Sequence, residues 1–212
     1  MSSTTTTIDL DRITRERNKS AESVKQRVII CAGTGCVANG ALKVRDAFLK
    51  ETAEAGLDTI TELKQEEDGA DMHISKSGCQ GFCQMGPLVT VLPAGILYTR
   101  VKPGDVAEIV KTTLVEGDVV ERLLYAEPGN GSRCHGPDDI PFYTRQSRTV
   151  LKPCGFLDPE DVVEYIANGG YSAARKAYSE MTPKAVCEEI LYSGLRGRGG
   201  GGFPTGRKWE LT

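Results

Sequence analysis

Two pairs of closely spaced cysteines constrain this chain more than any other feature. Cys31 and Cys36 form a C-x4-C pair, and Cys79 and Cys83 form a C-x3-C pair. The β-branched run at residues 27–30 predicts a buried strand directly before the first pair, and the second pair lies between predicted strands. Four thiols therefore lie in two connecting loops of one α/β domain, where they can form a single site.

Two thiol pairs meet the requirement of a [2Fe–2S] cluster, in which each iron takes two protein sulfurs. Residues 32–35 and 80–82 are small or glycine-rich, so backbone N–H groups can approach the sulfurs. A four-cysteine zinc site remains the alternative, but such sites usually use tighter C-x2-C pairs. The spacing favours iron–sulfur over zinc, and four unligated cysteines in two polar loops are less favoured still.

Composition and charge exclude several other classes of protein. The 212 residues are 39% hydrophobic and 26% charged, which suits a globular chain with a normal core. A net charge of -3 gives no basic field for nucleic acid. Because the sequence shows neither a secretory signal nor an apolar stretch of about 20 residues, we expect a cytoplasmic protein that does not insert into membranes. Cytoplasmic thiols stay reduced, which disfavours disulfides.

The chain is expected to contain four parts. They are a polar helix in residues 1–24, a compact α/β unit in 25–118, a linker or overlaid arm in 119–147, and a helical portion in 148–212. Within the α/β unit, the patterns predict a helix over 39–55, two strands over 59–76 around an acidic turn, a hairpin over 88–101 and a helix over 106–114. Later patterns predict helices over 158–168 and 183–192.

Three cysteines and the two histidines fall outside the paired pattern. Cys134, His135 and Cys154 could ligate a second metal, but three ligands without a fourth favour the interpretation as loop cysteines. Cys187 lies among apolar residues of a predicted helix and His73 within a strand pattern, and both are interpreted as structural.

The last distinctive segment is a glycine loop. Residues 194–206 contain seven glycines in thirteen positions, with Arg196, Arg198, Arg207 and Lys208 in or beside them. A backbone without side chains can present N–H groups to an anionic or planar ligand, and the cations favour a phosphate. A flexible linker is the alternative, although linkers usually combine glycine with serine. The segment matches neither a P-loop nor a Rossmann fingerprint.

Both motifs resemble known families. The CAGTGC and SGCQGFCQMGP loops resemble those of the thioredoxin-like [2Fe–2S] ferredoxin domain, over about residues 24–117. This resemblance implies a thioredoxin-like sheet flanked by helices, with the four paired cysteines as cluster ligands. In that family the domain occurs alone or fused into NAD(P)H-dependent electron-transfer enzymes.

The glycine loop, together with the helical segments before it, resembles the FMN-binding region of another family. That family is the NADH-oxidising flavoprotein subunit of respiratory complex I, with its soluble relatives in NAD(P)-linked hydrogenases and electron-bifurcating complexes. The resemblance implies that the flavin and its phosphate contact Gly197, Arg198, Gly199, Gly200 and Lys208. It implies that the nicotinamide nucleotide contacts Gly201 and Phe203. Gly201 replaces a common alanine, and Arg207 stands where an apolar residue is usual.

These resemblances imply an electron-transfer subunit of an NAD(P)H-linked oxidoreductase complex, with FMN, NAD(P) and a [2Fe–2S] cluster and no catalytic side chain. Expected partners are NAD(P)H and other iron–sulfur or flavin subunits. Because the flavoprotein family continues for several hundred residues, we expect this chain to be an incomplete portion, with further [4Fe–4S] clusters outside it. The alternatives are a stand-alone [2Fe–2S] carrier or docking module without hydride chemistry, and a zinc-stabilised scaffold.

Overall fold

The computed structural model describes residues 8–63 and 69–212. The contacts of these residues form two compact units, which divide between Ala167 and Asn168. The acidic turn predicted near residue 68 lies partly outside the described residues. Among the described residues, no helix is both long enough and apolar enough to cross a bilayer.

A mixed sheet forms the centre of the first unit. Its strands in the described residues are β1 (Gln26–Cys31), β2 (Thr59–Ile60), β3 (Met72–Ser77), β4 (Val89–Leu92) and β5 (Ile96–Tyr98). The strand order is β2-β3-β1-β4-β5, with β1 parallel to β3 and antiparallel to β4. The β-branched residues of β1 are buried because this strand lies in the middle of the sheet. The α/β fold and the predicted hairpin are confirmed.

Helices cover the sheet and extend the first unit. They are α1 (Leu10–Glu22), α2 (Thr34–Ala38), α3 (Ala41–Glu54), α4 (Val106–Ile109, continued by a π-helical turn over Val110–Val115), α5 (Pro141–Thr144) and α6 (Val162–Ala167). Val44 and Phe48 of α3 and Ile109 of α4 are fully buried in the core with the sheet residues. The helix predicted over 39–55 is confirmed as α3, and Gly56 follows it with φ 71°, a left-handed conformation that favours glycine.

The segment 119–147 packs as an arm along the edge of the sheet. It contains the short strands β6 (Tyr125–Ala126) and β7 (Arg133–Cys134). The Leu97 N–H of β5 donates to the His135 carbonyl at 2.9 Å, and the Thr99 N–H donates to the Leu123 carbonyl at 2.8 Å. Leu124 and Ile140 are buried in the core. The segment is therefore a packed arm rather than a free linker.

Helix α6 is shorter than the pattern over 158–168 predicts, because a side chain caps it later. The Asp161 carboxylate accepts hydrogen bonds from the N–H groups of Val163 and Glu164, both at 2.9 Å. This cap fixes the start of the helix at Val162. The Glu164 side chain then accepts two hydrogen bonds from the Arg27 guanidinium, at 2.6 and 3.2 Å, which ties α6 to β1.

The second unit contains α7 (Ser172–Glu180), α8 (Pro183–Tyr192) and α9 (Thr205–Glu210). The helix predicted over 183–192 is confirmed, and Thr182 caps it by accepting from the Ala185 N–H at 3.2 Å. The sequence patterns did not predict α9. This helix packs so closely on α8 that a β-carbon at Gly206 would overlap the backbone of Leu191. Such a contact has no signature in the local sequence.

Candidate cluster site and glycine loop

The four paired cysteines lie at one end of the central sheet. Cys31 is the last residue of β1 and Cys36 lies on α2, while Cys79 and Cys83 follow β3. Since β1 and β3 are parallel and Cys31 stands opposite Ser77, both cysteine loops leave the sheet at the same end. The topology thus brings together the two pairs that the sequence places apart.

Two glycines, Gly33 and Gly86, allow the two cysteine loops to approach each other. A β-carbon at Gly33 would lie 2.8 Å from the Cβ of Cys79, too close for any real contact. A β-carbon at Gly86 would lie 2.6 Å from the Sγ of Cys36. The backbone of one loop therefore lies directly against the thiols of the other, so these glycines are needed for space.

The thiols are arranged as two pairs. The Sγ atoms of Cys79 and Cys83 are 3.7 Å apart, and the Gly81 N–H donates to the Cys79 Sγ at 3.3 Å. A hydrogen bond from the Cys36 thiol lowers the pKa of Cys31 to about 6, with further help from the N–H groups of Gln80 and Gly33 against the effect of burial. The same pairing, with burial, raises the pKa of Cys36. Within the described ranges, no three ligating side chains gather at a single point.

This arrangement fits a [2Fe–2S] cluster, because each iron would take one pair of thiolates. Glycines at the site and N–H groups directed at sulfur provide room for the cluster and donors to its sulfurs. Cys31 and Cys36 are 1% exposed, whereas Cys79 and Cys83 are exposed. One side of the site is thus embedded in the core, and the other faces the surface, where electrons can enter or leave.

An aromatic group that the sequence analysis missed covers the second cysteine loop. The Phe82 ring stacks on Phe142 with centroids 4.8 Å apart, and meets Tyr125 and Tyr143 edge-on at 5.1 and 5.6 Å. The last three residues belong to the arm. The aromatic run PFYT at 141–144 was the available signal, but nothing in it indicates contact with Phe82, 60 residues earlier in the chain.

The other singled-out residues lie outside the two cysteine loops. Cys134 is buried in β7, where its thiol donates to the Asp139 carbonyl at 3.5 Å. Cys154 and Cys187 are half-buried. His73 is buried in β3, and burial, assisted by Arg27 and Arg17, lowers its pKa to about 4. These placements agree with structural roles.

In the second unit, the glycine loop is a hairpin whose base is closed by hydrogen bonds and whose tip is exposed. The Gly197 N–H donates to the Phe203 carbonyl at 2.9 Å, and the Arg196 guanidinium donates to the Gly202 carbonyl at 3.1 Å. Gly200 and Gly202 have φ values of 113° and 59°, which favour glycine. The tip exposes Arg198 and residues 199–201, and Phe203 is 52% exposed.

The tip of the loop offers unoccupied donors. In the described part of the chain, the N–H groups of Gly199, Gly200 and Gly201 have no backbone acceptor. A β-carbon at any of these positions would meet no atom within 4 Å. Lys208 lies on α9, directly after the loop, and is exposed. Free N–H groups beside a cation are suited to bind an anionic group.

Comparison with known proteins identifies the first unit. The model of the thioredoxin-like [2Fe-2S] ferredoxin family matches residues 18–114. A 2Fe-2S ferredoxin from Clostridium pasteurianum is 32% identical over 99 residues, which cover 47% of this chain and 94% of that ferredoxin. The chain therefore belongs to the thioredoxin-like [2Fe-2S] ferredoxin family, as the cysteine loops predicted.

Two other relatives are subunits of larger oxidoreductases. The NADP-reducing hydrogenase subunit HndC of Solidesulfovibrio fructosivorans is 51% identical over 68 residues, which cover 32% of this chain. A subunit of the NADH-quinone oxidoreductase of Rhizobium meliloti is 60% identical over 65 residues, or 31% of this chain. The matched part is 14% of the length of each relative, so the chain spans a small share of them.

Proposed function

We propose that this chain is an electron-transfer part of an NAD(P)H-linked oxidoreductase complex of the soluble hydrogenase or electron-bifurcating type. The observation that carries the proposal is the convergence of two thiol pairs at one end of the sheet, with the backbone at Gly33 and Gly86 against the sulfurs. The names of the hydrogenase and quinone-oxidoreductase relatives support the same class of complex.

In this proposal, Cys31 and Cys36 hold the inner iron and Cys79 and Cys83 hold the outer one. When bound, the [2Fe–2S] cluster supplies one-electron transfer, and FMN supplies the conversion of a hydride into single electrons. The exposed thiol pair lies on the side through which electrons pass to and from a partner. The Gly81 N–H stabilises negative charge on the Cys79 sulfur.

The glycine loop is proposed to bind the flavin. The unoccupied N–H groups of Gly199 and Gly200 and the charges of Arg198 and Lys208 bind its phosphate, while Gly197 closes the loop at its base. Gly201 and the exposed ring of Phe203 border the nicotinamide nucleotide. The support is the resemblance of the loop to known FMN loops, together with its open tip.

The proposed setting is a cytoplasmic complex that contains other iron–sulfur and flavin subunits, with [4Fe–4S] clusters outside these 212 residues. A second candidate is a stand-alone [2Fe–2S] carrier or docking module. It is favoured by the ferredoxin of Clostridium pasteurianum, 94% of which is matched by this chain. Reduction of the cluster by NAD(P)H separates the two candidates.

Replacing Cys36 or Cys79 by alanine tests the ligand set. Three thiolates leave one iron with a single protein sulfur, so we expect loss of the visible absorption bands and of about two irons and two sulfides per chain. The measurement is iron, sulfide and zinc content after anaerobic purification. The control is Cys187→Ala on α8, which should keep the full cluster. Stoichiometric zinc without sulfide in the unmodified chain would contradict the proposal.

A further inference from the structure

The side chain of Arg148 lies beside the second cysteine loop, although this residue is outside residues 18–114, the part of the chain that matches the ferredoxin family. The Arg148 guanidinium donates to the Gln80 carbonyl at 2.9 Å, next to Cys79 in the chain. A β-carbon at Gly81 would lie 3.0 Å from this guanidinium. In the described residues, Arg148 takes part in no ion pair, so its charge is not neutralised by a carboxylate.

The same guanidinium positions a tyrosine of the arm. The central carbon of the Arg148 guanidinium lies 5.2 Å from the centroid of the Tyr143 ring, a cation–π contact. The Tyr143 ring also meets the edge of Phe82, which stands between Cys79 and Cys83 in the chain. Two contacts thus fix the ring against the cysteine loop.

The Tyr143 hydroxyl is buried, and among the described residues it has no hydrogen-bond partner. Buried tyrosine hydroxyls usually find one. Burial raises the pKa of Tyr143, against the opposing effect of Arg148. An unpartnered donor therefore lies beside the second cysteine loop, where the Tyr143 ring contacts Phe82.

We propose that the buried Tyr143 hydroxyl and the Arg148 guanidinium, both beside the second cysteine loop, stabilise negative charge on a cluster held by the paired cysteines and so raise its reduction potential. The inference rests on the proposed function, since it requires a cluster on the paired cysteines. Accepting an electron adds one negative charge. A hydrogen-bond donor and a nearby cation both stabilise that charge.

The surroundings of the cluster site thereby include groups from outside residues 18–114, the part of the chain that matches the ferredoxin family. The arm carries Tyr143, and Arg148 follows directly after it. A chain with the same four cysteines but without this arm would hold its cluster at a lower potential. Electrons would then leave it more readily, and fewer would reside on it at equilibrium.

The test is the midpoint potential of the purified, cluster-loaded chain in Tyr143→Phe and Arg148→Gln variants, measured by an anaerobic titration of the visible absorbance. We expect the equilibrium constant for accepting one electron to fall severalfold in each variant. A tenfold fall corresponds to about 59 mV for a one-electron couple. Tyr125→Phe is the matched control, because it removes a hydroxyl from another tyrosine that contacts Phe82, and its potential should not change.

The possible failures are distinguishable. An unchanged potential in Tyr143→Phe with full iron and sulfide content overturns this inference alone. An equal shift in Tyr125→Phe also overturns it, because the effect would then come from the aromatic group in general. Absence of iron and sulfide from the unmodified chain overturns the proposed function and this inference with it.

Discussion

At the scale of single residues, the cluster site depends on closely packed glycines as much as on the four thiols. Gly33 has φ -64° and ψ 152°, a conformation that any residue can adopt. Glycine is needed at position 33 because there is no space for a side chain: a β-carbon there would lie 2.8 Å from the Cβ and 3.2 Å from the Sγ of Cys79. Gly35, two residues later, has ordinary space, with 3.5 Å to the Cβ of Cys83.

This difference makes Gly33→Ala and Gly35→Ala a matched pair. We expect Gly33→Ala to push the two cysteine loops apart, lowering the cluster content and costing about 1–3 kcal/mol as overpacking does elsewhere. Gly35→Ala should keep its cluster and gain slightly in stability, because alanine favours helix α2. Iron and sulfide per chain, with urea unfolding of the full chain, measure both effects. Equal cluster content in the two variants would show that the close approach at Gly33 is not needed.

At the scale of elements, a buried polar network joins β1, β3, α1 and α6. Arg27 of β1 lies opposite His73 of β3, and the Arg17 and Arg27 guanidinium groups both pair with the Glu164 carboxylate. Glu164 is 4% exposed and His73 is 4% exposed. Burial and the two cations keep His73 neutral near pH 7, with a pKa of about 4 against an ordinary value of 6.5.

The lowered pKa of His73 predicts acid sensitivity. Between pH 6.5 and 4 the unfolded chain binds a proton at this histidine that the folded chain does not, so stability falls as pH falls through this window. The loss should be about 2 kcal/mol on going from about pH 7 to about pH 5, since each unit of pKa difference is worth about 1.4 kcal/mol. Urea unfolding of the full chain at both pH values measures it.

The control for this prediction is the other histidine. His73→Gln should reduce the pH dependence of the unfolding free energy by about this amount. His135→Gln, at an exposed position of the arm, should leave the dependence unchanged. A wild-type free energy of unfolding that does not change between these two pH values would mean that His73 is not held neutral by its surroundings.

At the scale of the whole molecule, the question is whether electrons reach the cluster from NAD(P)H. If the proposed function is right, both dithionite and NAD(P)H reduce the cluster in the complete complex with FMN, whereas the 212 residues alone are reduced by dithionite and not by NAD(P)H. If the chain is a stand-alone carrier, NAD(P)H reduces the cluster in no purified assembly that contains it. Bleaching of the visible bands in the complete assembly therefore separates the proposed function from its alternative.

Lys208→Glu in the complete complex tests whether the glycine loop binds the flavin through which NAD(P)H reduces the cluster. The variant places an anion beside the flavin phosphate, so we expect lower FMN occupancy and at least a roughly tenfold slower reduction by NAD(P)H, equivalent to about 1.4 kcal/mol. Reduction by dithionite should not change. Lys184→Glu, at another exposed lysine of the same unit, is the matched control. Unchanged flavin occupancy in Lys208→Glu would show that the loop does not bind the phosphate.

The sequence by itself determined the central strand, the hairpin, the helices α3 and α8 and the class of site. These features are local: β-branched runs, helical periodicity, the Thr182 cap and the spacing of Cys31, Cys36, Cys79 and Cys83 can be read within short windows. That all four cysteines serve one cluster was implied by the resemblance of their loops to the thioredoxin-like [2Fe–2S] ferredoxin family, and the parallel pairing of β1 with β3 brings the two loops to the same end of the sheet.

Only the tertiary structure decided how the arm packs on the sheet, and which residues outside the cysteine loops lie beside the thiols. The contact of Arg148 with Gln80 joins residues 68 positions apart, and the Arg27–Glu164 pair joins residues 137 apart. Helix α9 depends on the close approach of Gly206 to Leu191. Such contacts are stabilised by packing between distant segments, which leaves no periodic pattern or ligand spacing in either segment. Their partners become visible only when the chain is folded.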